Sequence, residues 1–426
     1  MTWIPQCRWL VIALLGASTL GDWAYSEPAQ AVSAFKEWLE QLWPEAEREG
    51  ISRQTFDMTT RDLKPDLSLP DLVIPGRREK PKGQAEFIKP PAEYLSEASL
   101  SRLSHTGRKL MSVHGKTLGA IEKVYGVPAP VVIAIWGRET DYGSYRLPHN
   151  AIRVLATQAY LGKRKETFRK EFLLALKMVQ EGHVKPVDMH SSWAGAMGQT
   201  QFLPSDFYNF GVDFDGDGRI DIWKSIPDTL ASAAKQLVDY GWQRGKAWGS
   251  EVRIPKEVDC TMADTDNTAS IDEWIRRGVT PAFGLQFPEE VLQDEASLLL
   301  PAGAYGPAFL VLRNFQAIRS YNASDLYAIF VGNLSDRIGS RGSFETRWGK
   351  LVQLQVRDVE EMQRHIAQEG FYRDRIDGIA GSKTRSALGH YQKAHSLKVD
   401  CWPTAAVLTF MRNKANPIRS EGREKL

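Results

Sequence analysis

Residues 127–143, Val-Pro-Ala-Pro-Val-Val-Ile-Ala-Ile-Trp-Gly-Arg-Glu-Thr-Asp-Tyr-Gly, set an acid at the end of an apolar run. Pro128 or Pro130 can open a helix, and the unbroken apolar stretch through Trp136 requires that helix to be buried on nearly all sides. Glu139 therefore emerges at the edge of a buried element. A carboxyl that loses hydration there favours its neutral form and can stay protonated near neutral pH, as a general acid must. The plain alternative is a glutamate paired with Arg138 or closing the helix end. Asp141 invites a two-carboxylate glycosidase reading. Residues two apart on a helix point to nearly opposite sides, however, so the pair flanks one bond only if the helix has already ended. One acid is the better reading.

A second segment, residues 191–205, reads Ser-Ser-Trp-Ala-Gly-Ala-Met-Gly-Gln-Thr-Gln-Phe-Leu-Pro-Ser. Small residues alternating with Gly permit close backbone approach, and the Gln, Ser and Thr side chains can hydrogen-bond a sugar and its acetamido group. A tightly packed turn is the alternative. A third segment places Asp213, Asp215 and Asp217 at the first, third and fifth positions of a calcium loop, Gly218 at the sixth and Arg219 where such loops offer a backbone carbonyl. Lys224 stands where the closing bidentate Glu is usual, and Asp228 can supply that carboxylate from a lengthened loop. Any Ca2+ held there is expected to be structural, so no cofactor is expected for the chemistry. Gly381-Ser-Lys-Thr384 lacks the glycine spacing of a phosphate loop. His183 and His190 lack metal-ligand spacing with a Glu base. Lys163-Arg-Lys165 and Arg169-Lys170 read as a solvated helix face. From that face Arg164 alone is assigned a contact to a peptide carboxylate.

Positioning these groups calls for a mainly α fold. Phe35, Trp38, Leu42 and Trp43 recur at helical spacing within residues 34–49, and residues 101–125, 165–181 and 228–240 are long and periodic. Residues 63–91, rich in Pro, Lys and Arg, read as an extended surface connection. A mixed smaller lobe is expected over residues 271–334. A compact three-helix unit follows over residues 351–412, with an apolar stripe of Leu354, Val359, Met362, Ile366, Leu388 and Tyr391.

At 426 residues the chain is too long for one ordinary core. With 42% hydrophobic and 25% charged residues and a mean hydropathy of −0.35, it is no multi-span membrane protein. A net charge of +2 does not mark a nucleic-acid binder. The 13 Trp and 13 Tyr suit a carbohydrate cleft or, equally, core packing. Arg8, the apolar run from Trp9 to Leu20 and the small residues near 24–31 read as a secretory signal with no stable membrane span, giving a periplasmic, monomeric product. Cys260 and Cys401 read as two buried free thiols, with an interdomain disulfide as the alternative.

Taken together the segments resemble the lytic murein transglycosylase B family. The resemblance runs over residues 34–334. It rests on Tyr125-Gly-Val-Pro, Ile135-Trp-Gly-Arg-Glu139-Thr, Ser192-Trp-Ala-Gly-Ala-Met-Gly-Gln-Thr-Gln201-Phe-Leu-Pro, the calcium-like loop and Arg313-Asn-Phe through Tyr321-Asn322. Ile376-Asp-Gly-Ile-Ala-Gly-Ser-Lys-Thr384 and Tyr391-Gln-Lys-Ala-His-Ser-Leu resemble a three-helix peptidoglycan-binding domain. With the signal read over 1–31, the resemblance implies a lysozyme-like catalytic domain over 32–345 and a wall-binding domain over 351–413. It implies that Glu139 cleaves the MurNAc–GlcNAc bond as acid then base, with the muramoyl C6 hydroxyl as nucleophile and an anhydro sugar as product. It further implies that Ser192 hydrogen-bonds Glu139 while Tyr94, Gln201, Tyr321, Asn322 and Tyr327 line the glycan cleft. Gln199 replaces a frequent aromatic, which removes one stacking contact. A hydrolase on the same scaffold and a non-catalytic wall-binding protein are the competing readings.

Overall fold

The computed structural model describes residues 26–74, 89–284 and 286–415, with side chains from residue 33 onward. The signal assigned to residues 1–31 therefore lies largely outside the described residues, as do residues 75–88 of the connection at 63–91. Among the described residues no single helix is long and apolar enough to cross a membrane.

Two helical cores carry the candidate site between them. The first is built around Ala151–Leu161 and Lys165–Gln180, against which the N-terminal helices Ser26–Gln41, Trp43–Arg48 and Arg53–Thr60 pack through Phe35, Leu39, Leu42 and Phe56. Pro44, in the first turn of the second of these helices, follows a break at Leu42 in what the spacing suggested was one helix. The second core gathers Glu97–Val113, Gly115–Tyr125, Ala129–Thr140, Ile226–Asp239, Arg313–Asn322 and Asp325–Ile338. The periodic segment 101–125 is likewise two helices, because the chain leaves helical geometry at His114 ahead of Gly115.

The mixed lobe starts and ends earlier than its sequence suggested. Its five-stranded antiparallel sheet runs in the order Thr268–Ser270, Glu295–Leu299, Ala308–Val311, Gly249–Arg253, Thr280–Pro281. The helices after Val311 return to the second core instead of completing the lobe. Fully buried Trp274 and Leu298 centre the lobe's own apolar cluster.

The C-terminal unit is three helices, Val356–Gln368, Ser382–Ala394 and Ala405–Ala415, closed on Met362, Ile366, Leu388, Tyr391 and Met411. Its cysteine is not a free thiol: Cys260 and Cys401 form a disulfide with Cα atoms 6.0 Å apart, joining the mixed lobe to the C-terminal unit across 141 residues. Sequence distance argued against pairing, but the fold brings the two units face to face. A buried polar seam runs beside the bond. Arg385, 6% exposed, lies 3.4 Å from Asp325, which also accepts from Arg319 at 2.8 Å. The Tyr305 hydroxyl donates to Asp400 at 2.7 Å and that of Ser386 to the Thr261 carbonyl at 2.8 Å.

Candidate active site

Glu139 sits one residue before the end of the helix Ala129–Thr140, whose residues 131–137 are all buried. Of the two prolines the sequence offered, Pro128 is its N-cap, and Asp141 closes it in a left-handed conformation (φ 50°). The helix has thus ended before Asp141, and that carboxylate is held by Arg102 at 2.9 Å. Arg138, beside the charge of Glu139, donates to the Tyr94 hydroxyl at 2.6 Å. Its guanidinium lies 4.8 Å from both the Tyr94 and Phe330 rings. Stacked between two rings, this cation is fixed in place beside the acid.

Tyr327 donates a hydrogen bond to Glu139 Oε1. Its ring stacks on Tyr321 at 6.2 Å and 16°, and the Tyr321 hydroxyl donates to the Thr200 carbonyl at 2.9 Å. Burial, and after it the nearby Glu139 carboxylate, push both phenols well above their ordinary range, so each remains a neutral donor. Tyr327 is 1% and Tyr94 7% exposed. Both therefore act on Glu139 and Arg138 from behind, with little ring face open to a ligand, while Tyr321 and Asn322 are half-buried at the end of Arg313–Asn322.

The Ser192 loop packs closely on the helix Ala151–Leu161 and on the exit of the acidic loop because its glycines leave no room for a side chain. A Cβ on Gly195 (φ +83°) would meet Leu155 at 2.3 Å, and one on Gly198 (φ +63°) would meet Ile222 at 2.7 Å. Ser192 Oγ accepts from the Ala196 amide at 3.2 Å, which leaves its proton available to donate. The Gln201 side chain donates to the Ala196 and Gly198 carbonyls and shapes the loop itself. Gln199, read in the sequence as a lost stacking ring, is a connector. It accepts from the Trp136 indole at 2.7 Å, donates to the Trp223 carbonyl at 2.8 Å, and its own carbonyl accepts from Thr140 at 3.2 Å. One amide thus ties the helix of Glu139 to the Ser192 loop and to the exit of the acidic loop. Its polarity at a position inside the Ser192 motif was the available signal. Arg164 is not brought into this cluster: it is exposed and its guanidinium packs 5.1 Å from the Phe168 ring.

In the acidic loop, carboxylate oxygens of Asp213, Asp215 and Asp228 lie within 4.8 Å of one another. Asp228 is 1% exposed and accepts from the amides of Phe214 and Asp221, and its burial pushes its carboxyl up. Gly216 and Gly218 turn the loop with positive φ, and Asp213 accepts from their amides at 2.8 and 2.9 Å. A converging set of hard oxygens fits a divalent cation such as Ca2+. Asp217 and Arg219 fall outside that set of three: the Asp217 carboxylate accepts from the Arg219 amide at 2.9 Å.

The family model for the transglycosylase SLT domain matches residues 34–336, and that for a peptidoglycan binding domain matches residues 355–411. The chain is 31% identical over 222 residues to membrane-bound lytic murein transglycosylase B of Escherichia coli, a match spanning 51% of this chain and 58% of that one. SltB3 from Pseudomonas aeruginosa in complex with NAG-anhNAM-pentapeptide superposes with a TM-score of 0.81 at 40% identity, covering 89% of this chain and 99% of that one. The Escherichia coli lytic transglycosylase Slt35 in complex with calcium gives a TM-score of 0.56 at 26% identity, over 75% and 95% of the two chains. With the family model covering most of its length and these structures sharing its fold, the chain belongs to the transglycosylase SLT domain family.

Proposed function

We propose that the chain is a lytic transglycosylase of peptidoglycan, with residues 32–345 catalytic and residues 351–413 binding the wall. The observation that carries the reading is the single acid, Glu139, held by Tyr327 while the next carboxylate, Asp141, is committed to Arg102. One acid suffices when the substrate supplies its own nucleophile. Glu139 gives its proton to the bridging oxygen as the bond from that oxygen to the muramoyl C1 breaks. The muramoyl C6 hydroxyl then bonds to C1 and returns its proton to Glu139. The product is a 1,6-anhydromuramoyl end, and no water is consumed. Holding the C6 hydroxyl close to C1 converts the second step to an intramolecular one. The related SltB3 structure with NAG-anhNAM-pentapeptide supports this product class.

In this reading Ser192 donates to Glu139, and Tyr321, Asn322 and Gln201 shape the glycan cleft, with Tyr94 and Tyr327 behind it. Arg164 meets a stem carboxylate away from Glu139. Ca2+, held by Asp213, Asp215 and Asp228 with Asp217 and the Arg219 carbonyl alongside, would neutralise converging charge and brace the loop that Gln199 ties to the catalytic helix. The Slt35 complex with calcium supports this assignment. A disulfide fits an oxidising compartment, which agrees with an exported, periplasmic enzyme.

The test is mass spectrometry of digested peptidoglycan. The expected products carry anhydromuramic ends, and Glu139→Gln abolishes their release. Hydrated reducing ends alone would replace the reading with a hydrolase, and digestion surviving in Glu139→Gln would remove Glu139 as the acid.

A further inference from the structure

A cavity of about 830 Å³ opens where three parts of the chain meet: strand ends around Glu295 and Val311, one face of the helix Arg313–Asn322, and residues 372–384 of the C-terminal unit. None of the groups placed around Glu139 lines it. Its volume lies in the range of small-ligand sites, about 300–1,000 Å³.

The walls carry charge of both signs, part of it already used. Lys383 pairs with Asp266 at 2.7 Å and with Asp374 at 3.4 Å, bridging the two units. Arg313, Arg375 and Glu295 differ: each is exposed, lines the cavity and makes no ion pair among the described residues. Glu295 lies two residues before Ser297 and Arg313 two after Val311, and Ser297 pairs with Val311, so the acid and the base share one edge. Arg375 comes from the facing wall in the C-terminal unit. The frame that holds these walls is rigid, since the Cys260–Cys401 bond and the buried Arg385–Asp325–Arg319 seam span the same junction. Little ordering is then needed when a ligand enters.

Two features decide what kind of ligand. The sole aromatic lining residue is Tyr372, 7% exposed, so the cavity offers no platform for stacking a sugar. Mixed charge likewise disfavours a polyanion and suits a short peptide with carboxylates and an ammonium. Distance then connects cavity and cleft. From Arg313 to Asn322 a helix rises about 14 Å, and Tyr321 near its far end stacks on Tyr327 beside Glu139. An extended pentapeptide spans about 17 Å, so a stem hanging from a sugar in the cleft reaches the cavity.

Resting on the proposed action on peptidoglycan, we infer that this junction cavity docks the peptide stem of the strand being cleaved. Arg313 and Arg375 take stem carboxylates, and Glu295 takes the free ammonium of the stem's diamino acid. The C-terminal unit then completes a recognition site with the mixed lobe, in addition to gripping the wall.

The test is calorimetric titration of the full chain with free pentapeptide stem containing a diamino acid, beside the same peptide with its carboxylates amidated. Wild type is expected to bind the free stem, and amidation is expected to weaken binding on the order of tenfold or more, as charge-assisted contacts are lost. Arg313→Ala with Arg375→Ala should reproduce that loss at an unchanged melting temperature. Glu295→Gln should weaken the free stem several-fold but leave a side-chain-acetylated stem unaffected. Equal binding of free and amidated stems, or undiminished binding by the double arginine variant, overturns the inference. Product analysis on the same protein separates the two readings. Wall cleaved without stem binding refutes the docking site alone, and stem bound without cleavage refutes the Glu139 chemistry alone.

Discussion

Tyr327→Phe removes one buried oxygen behind the cleft and leaves the ring that stacks on Tyr321. The lost bond is buried and made to a carboxyl group, since Tyr327 is 1% exposed and donates to Glu139 Oε1. Hydrogen bonds to charged groups contribute about 1.5–3 kcal/mol. If that bond holds Glu139 in its reactive position, its loss lowers kcat roughly 10–150-fold. KM should change little, because a buried phenol makes no wide contact with the glycan. The assay is initial rate of anhydro-product release, with the melting temperature of each variant as control. Tyr321→Phe supplies the comparison. Its hydroxyl meets a neutral carbonyl, that of Thr200, and a neutral bond contributes about 0.5–1.5 kcal/mol, so its effect stays within roughly tenfold. A Tyr327→Phe enzyme within twofold of wild-type kcat, or no slower than Tyr321→Phe, would refute the positioning argument.

Cys260→Ala with Cys401→Ala, or reduction of the bond, opens a loop of 141 residues. The loop-entropy relation puts the loss at about 5 kcal/mol, measured by denaturant unfolding with and without reductant; coincident curves would show that the bond constrains little. Asp336 is pushed up to about 6 by burial, against the opposing pull of Arg341 and a hydrogen bond from the Trp248 indole. The unfolded carboxyl ionises near its ordinary value of 3.8 while the folded one stays protonated until about 6. Stability from this residue is therefore full below pH 4, lost between about pH 4 and 6, and flat above. Asp336→Asn should erase that slope and gain up to about 3 kcal/mol at pH 7; parallel melting-temperature profiles for the two proteins would exclude it. Calcium chelation should lower the melting temperature, and Asp228→Asn should abolish the calcium response. A protein indifferent to both calcium and chelator would remove the metal assignment.

Local pattern made the catalytic helix legible before any coordinates. Pro128 and the apolar run through Trp136 define its start and burial, and that alone places Glu139 at an edge. The same holds for the C-terminal stripe, where Val359, Met362, Ile366, Leu388 and Tyr391 are all buried. Contacts set by the closing of distant segments were not legible. Nothing local to Tyr327 announces a bond to a residue 188 positions away, and Gln199 reads as an ordinary polar loop residue until Trp136, Trp223 and Thr140 converge on it. Residues 313–334 were drawn into the mixed lobe because proximity along the chain stood in for proximity in space. The pairing of Cys260 with Cys401 failed for the same reason.

That cysteine pair also constrains how the molecule is made. Synthesis proceeds from the N-terminus, so Cys260 emerges 141 residues ahead of its partner and must wait unpaired while the catalytic helices assemble. Cys7 is the only other cysteine in the sequence, so few rival connectivities compete with this one. A chain broken off before Cys401 keeps a bare thiol on its mixed lobe, so incomplete copies carry a chemical mark that finished ones lack.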